Sequence, residues 1–86
     1  MIYYANTIRE ARRMKMAMFA FNGANPSMFV IEDRRGNVDG YRVQDDSIGN
    51  EWGALIKCYL DNGERADKAT PERVARHRDH SEIPTA

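Results

Sequence analysis

His77 and His80 stand three residues apart near the end of the chain with Asp79 and Glu82 beside them, and they are the first grouping that could do chemistry. On a helix this spacing puts both imidazoles on one side, where they could face a divalent metal. A closed zinc site needs about four ligands, however, and a catalytic one about three. No second His or Cys pair completes the set and Cys58 is distant in the chain, so the pair reads as solvated helix histidines. Asp45, Asp46 and Glu51, with Glu32 and Asp33 on a neighbouring strand, carry enough charge to hold magnesium for phosphodiester chemistry. Asp46 already has a use as a helix cap, and acids suit a first helical turn because the macrodipole is positive there. The sequence contains no Gly-rich phosphate loop, nucleophile elbow or Cys-His pair at a catalytic spacing. Cys58 falls at the edge of an apolar stripe and reads as a small core residue rather than a nucleophile. The expectation is a protein with no catalytic residues, no metal and no cofactor.

Binding chemistry is better represented. Arg9, Arg12, Arg13 and Lys15 fall close together, and Arg34-Arg35 sit at what reads as a hairpin tip. Arginines on a helix and a hairpin tip could contact phosphates, as in binders of double-stranded nucleic acid. Against this, 13 basic residues are balanced by 13 acidic ones. The pI is about 6.7, whereas a dedicated nucleic-acid domain is basic overall. The charges are also segregated: residues 1–21 hold four basic groups against one acidic, and residues 22–62 hold four against seven. Such blocks either complement each other within the fold or present faces of opposite sign to partners.

These groups must be positioned by a small scaffold. A chain of 86 residues buries only about 60–65% of its unfolded surface, which leaves little for a deep cleft. Apolar runs fall well short of the roughly 20 residues a membrane span needs, and no signal-peptide pattern opens the chain. One cysteine gives no internal disulfide. A soluble, cytoplasmic protein that does not engage membranes is expected.

Ile2 to Tyr4 form a short β-prone run. Thr7 and Glu10 then have capping-box spacing, a run of strong helix formers follows, and Asn22-Gly23 supplies a left-handed stop. The spacing predicts a helix over about 7–21, with Ile8, Ala11, Met14, Met18 and Phe21 along the core stripe. Met16 and Phe19 then lie beside Arg12 on a flank, as a partly exposed apolar shoulder. A strand with Met14, Met16 and Met18 on one face is the alternative for this stretch. Caps and propensity together favour the helix.

Residues 28–43 read as a β-hairpin turning at Arg34-Arg35-Gly36-Asn37, with a bulge near Asp39-Gly40. Residues 2–5 supply a third strand, pairing in parallel with a hairpin strand through a helical crossover. A second amphipathic helix is expected over about 47–61, capped by Asp46 or Ser47. It would turn Ile48, Trp52, Leu55, Ile56 and Tyr59 to the core, with Leu60 and Cys58 at the edges. Gly49 and Gly53 suggest close approach to another backbone. After Gly63 the chain is charged or small, with a Thr70-Pro71-Glu72 helix start and a weakly anchored helix over about 71–80 that contributes no core.

The fold class expected is therefore α+β, a small β-α-β-β-α domain over residues 1–63 followed by a charged C-terminal appendage over 64–86. The leading functional expectation is a small non-enzymatic module that occupies a surface of a larger protein or complex, as an inhibitor or adaptor. Its partner-binding residues would be Arg12, Arg13, Met16, Phe19, Arg34 and Arg35, a mixture typical of interface cores. Compact chains of this kind recur among phage and mobile-element proteins that block host machinery. A nucleic-acid-binding domain using the basic helix and hairpin tip is the alternative. Homodimerisation is a further way of covering Met16 and Phe19.

Overall fold

The computed structural model describes the backbone of residues 1–81 and the side chains of residues 1–79. Strand β1 (Ile2–Ala5) leads into helix α1 (Ile8–Asn22), strands β2 (Ser27–Glu32) and β3 (Val38–Gln44) form a hairpin, and helix α2 (Glu51–Asp61) follows. A short 3-10 turn (Ala66–Lys68) and helix α3 (Pro71–Ser81) complete the described chain. This is the expected α+β layout.

The sheet order is β1-β3-β2, antiparallel throughout. The parallel pairing expected for β1 is thus corrected. The α1 crossover does bring β1 and β2 into the same direction, but β3 inserts between them and pairs antiparallel with both. Tyr3 pairs with Val43, which pairs with Met28, and Ala5 pairs with Tyr41, which pairs with Val30. These rows point to the helices: Val43 and Ala5 are buried, and Tyr3, Met28 and Tyr41 pack on the core. The hairpin carries its bulge at Asp39, since Ile31 pairs with Gly40 but Glu32 with Val38.

Helix α1 starts as the spacing predicts. Thr7 Oγ1 accepts from Glu10 N at 3.1 Å. Gly23, at φ 66°, closes the other end by donating its N–H to Phe19 O. Met14 and Met18 are fully buried while Met16 is exposed, which is helical periodicity and rules out the strand alternative. Ala11, Ala17 and Phe21 complete the buried stripe. Ile8 does not join it, remaining 36% exposed in the first turn.

Helix α2 starts later than expected. Asp45 Oδ1 accepts from both the N–H and hydroxyl of Ser47, which holds residues 45–50 as a turn. Asn50 is the N-cap residue, but its side chain accepts from Ile2 N instead of capping, so neither Asp46 nor Ser47 serves as the cap. Ile48, in the turn, is buried along with Ile56, Tyr59 and Leu60. Trp52 meets Phe21 with ring centroids 5.1 Å apart, joining the two helices. Cys58 is exposed, correcting its assignment to the core. Gly53 faces the Met1 side chain and Gly49 the Glu51 carboxylate, so neither approaches another backbone.

The segment after Gly63 does contribute core, contrary to expectation. Ala66, Ala69 and Val74 belong to the buried cluster, Val74 at 0% exposure. One branched side chain and two alanines suffice to close a seam in which the 3-10 turn packs on α1 and α3 packs on α2. Tyr59 Oη reinforces the seam by donating to Lys68 O.

Candidate functional site

Helix α1 carries one face into the core and leaves the next turned outward. Because Met14 and Met18 point inward, the 100° step per residue puts Met16 and Phe19 on the flank. They are 54% and 61% exposed. Beside them Pro26, in the lead-in to β2, supplies a rigid second wall, and the 3-10 turn supplies a third through Asp67. Together Arg12, Lys15, Met16, Phe19, Ala20 and Pro26, with Asn25 and Asp67, line a groove of about 680 Å³. Its floor is apolar and its charged groups lie along the rim.

The electrostatics of the rim are asymmetric. Asp67 is neutralised by Arg65 at 3.1 Å. Among the described residues neither Arg12 nor Lys15 has a carboxylate partner. The groove therefore offers an apolar floor beside two uncompensated cations.

The structure does not bring all six expected residues together. Arg12, Met16 and Phe19 share the groove. Arg13 lies outside the groove, in an adjoining concavity that it shares with Met16 and Asp67, and its guanidinium donates to Leu60 O at 3.4 Å and Glu64 O at 3.0 Å. It ties carbonyls at the C-terminus of α2 to α1, a favourable place for a cation. Arg34 and Arg35 are at the hairpin tip, beyond the end where Ala5 pairs with Tyr41, whereas Pro26 is at the Gln44 end. The tip is held by the Asp33 carboxylate, which accepts from the N–H groups of Arg35 and Asn37. Those bonds keep its pKa below the usual carboxylate range.

A second, smaller concavity of about 230 Å³ lies between β1, α1 and α2. Tyr3 Oη donates to Glu10 Oε1 at 2.7 Å, the same oxygen is 3.1 Å from Lys57 Nζ, and Lys57 reaches Asp61 at 2.8 Å. Glu10 thus faces β1 and α2 through Oε1, while its Oε2 accepts from Asn6 N at 3.4 Å, one residue before the Thr7 amide that a capping box would use. Burial, reinforced by the bond to Glu10, pushes the Tyr3 hydroxyl up to about 12. The bonds from Tyr3 and Lys57 hold Glu10 low, and the bonds to Asp61 and Glu10 raise Lys57. General acid–base catalysis works best with a group that titrates near the operating pH. Every shift here moves a group away from neutrality, so the cluster behaves as a clasp between three elements.

The acidic and histidine groupings resolve similarly. Asp45 orders the turn before α2 and Asp46 accepts from Gln44 Nε2. His77 Nε2 lies 3.4 Å from Asn62 Nδ2, while the side chain of His80 and all of Glu82 lie outside the described residues. Among the described residues no group of three or more His, Cys, Asp or Glu is placed to hold a metal. No helix of the described chain is long and apolar enough to cross a membrane.

Sequence reasoning missed the other side of the sheet. The helices cover one face only, and the opposite face presents Ile2, Tyr4, Phe29, Ile31 and Arg42. The absence of apolar–polar alternation in "IYYA" and "SMFVIE" is the signal that could have found it, since side chains alternate between faces and a continuous apolar run must populate both. Comparison with known proteins returned no match: no family model fits the chain, and neither a curated protein nor a solved structure shows significant similarity.

Proposed function

We propose that this chain is a non-enzymatic protein-binding module that works in the cytoplasm by seating its α1 groove on a surface of a larger protein, as an inhibitor or adaptor. The observation that carries this reading is the exposure of Met16 and Phe19 on an apolar floor beside the uncompensated Arg12 and Lys15. Interface cores are enriched in Met, aromatics and Arg, and methionine adapts its shape to the surface it meets. Burying an aromatic side chain of this kind is worth about 1.5–3 kcal/mol, enough for an anchor at the centre of a small interface. A partner suited to the groove brings an apolar side chain flanked by carboxylates.

The test is affinity capture from lysate of the source cell, with and without nuclease, comparing wild type with a Met16→Asp/Phe19→Asp double variant. Both side chains are exposed, so the variant should melt within a few degrees of wild type. The expected result is a protein retained after nuclease and lost from the double variant. Retention of the same proteins by the variant would refute the reading, and loss of all partners on nuclease treatment would replace it with a nucleic-acid one.

A further inference from the structure

The face of the sheet turned away from the helices has an organisation of its own. Register places Tyr4, Arg42 and Phe29 in one row across β1, β3 and β2. With strands about 4.8 Å apart, the two aromatic residues stand roughly 10 Å from one another with the arginine between them. Tyr4 is 65% exposed and Phe29 45%. The Arg42 guanidinium carbon lies 4.6 Å from the Phe29 ring centroid, a cation–π contact.

Charge decides what such a face can accept. From Ser27 to Ile31 on β2, and at the paired positions of β1 and β3, Arg42 is the only charged residue on this side. Among the described residues it has no carboxylate partner, and its Nε is buried without a hydrogen-bond partner. At the hairpin end Arg34 and Arg35 stand among Glu32, Asp33 and Asp39, and Asp46, bound to Gln44, stands at the opposite end, so Arg42 carries the positive charge of the face. The centre of the face thus holds a partly buried cation lacking an anion, flanked by two flat rings.

We infer that this open face binds single-stranded nucleic acid, with one base stacked on Tyr4, a neighbouring base stacked on the Arg42–Phe29 pair, and the intervening phosphate paired with Arg42. Bases stack on aromatic rings and on guanidinium planes alike, and every base offers a flat face, so binding is tolerant of sequence. A duplex keeps its bases inside and cannot stack on the row. The inference is independent of the groove on α1, which lies against the other side of the sheet.

The experiment is fluorescence anisotropy of labelled 10-nucleotide single-stranded DNA and RNA, and of a duplex of the same length, titrated with the full chain at low and near-physiological salt. Single strands should bind more tightly than duplex and weaken as salt rises. Tyr4→Leu should weaken single-strand binding about 5- to 100-fold, the range for loss of one stacked base, whereas Tyr4→Phe, which keeps the ring, should stay within about twofold. Arg42→Gln should weaken binding and flatten the salt dependence. Met16→Asp/Phe19→Asp should bind oligonucleotides as wild type does, so failure of the groove reading leaves this one standing. Absence of single-strand binding at low salt would overturn the inference, as would equal affinity for duplex or a Tyr4→Leu variant that binds unchanged. If oligonucleotides fail to bind and Arg42→Gln instead releases a captured protein, the face is a second protein surface and the inference is wrong.

Discussion

Among the described residues Val74 is the single side chain of α3 that is buried in the core, and Val74→Ala measures how much the fold depends on it. The side chain is fully buried at 0% exposure. Removing two methyl groups at about 0.8 kcal/mol each gives roughly 1.6 kcal/mol of lost transfer free energy. The space left behind adds about 24 cal/mol per Å³, or near 1 kcal/mol for a residual hole of roughly 40 Å³. Partial collapse of α3 reduces that second contribution, so the expected loss is about 1.5–2.5 kcal/mol. In a domain of this size each kcal/mol moves Tm by about 4–8 °C, which predicts a fall of roughly 6–20 °C. The assay is thermal unfolding followed by far-ultraviolet circular dichroism, with Trp52 fluorescence as a second probe because Trp52 contacts Phe21 across the α1–α2 interface. Arg76→Ala, at an exposed position of α3, is the control and should stay within about 0.5 kcal/mol of wild type. If Val74→Ala melts within about 2 °C of wild type, α3 does not belong to the cooperative unit and the account of the seam is wrong.

Other expectations follow from named contacts. Gly23→Ala puts a side chain at φ 66° and should cost about 1–2 kcal/mol, with Gly23→Asn costing less, read as shifts in Tm. Glu10→Gln weakens the clasp to Lys57 and should cost about 1 kcal/mol at pH 7, since both side chains retain some exposure. Because the folded Glu10 pKa is lowered, its contribution is complete above the unfolded value and disappears as pH falls through the folded one. Wild type should therefore lose its advantage over Glu10→Gln in acid. Tyr3 has the opposite sign: its folded value is raised to about 12, so its contribution holds below the unfolded value of about 10 and is lost between there and 12. Tm should fall more steeply across that alkaline window in wild type than in Tyr3→Phe.

Local signals in the sequence were read correctly where one residue decides the outcome. Thr7 and Gly23 bound α1 because a hydroxyl acceptor and a left-handed glycine act within one turn of chain. Met16 and Phe19 were legible as an exposed shoulder for a related reason: once the caps fix the helix, the angular step places every side chain. Long-range pairing was not legible in this way. Nothing within "IYYA" says whether its neighbour will be β2 or β3, and that choice decides between parallel and antiparallel pairing. The same limit hid the division of the arginines. Arg12 and Arg13 are adjacent in sequence, yet one borders the groove and the other serves the carbonyls of Leu60 and Glu64. The core role of Val74 is not legible from the amount of apolar content, because a few small side chains that are fully buried are enough to close the seam. Neither Asp46 nor Ser47 caps α2, and the side chain of Asn50 at that position is taken by Ile2 N of β1, a contact spanning 48 residues that no local pattern announces.

The place of β1 beside β3 has a consequence for the order in which the molecule can be completed. A ribosome delivers β1 first, yet its partner residues, Tyr41 to Gln44, emerge some 40 residues later. The β2–β3 hairpin can close locally as soon as its own residues are free, whereas β1 must be retained until that hairpin exists. Contacts of long sequence separation form late because the intervening chain has to be ordered before they return any stability. Of the three strands, the first synthesised is thus the last to join the sheet. Until it does, the edge of β3 that will receive β1 is unpaired, and an open strand edge is where the nascent chain is most vulnerable to association.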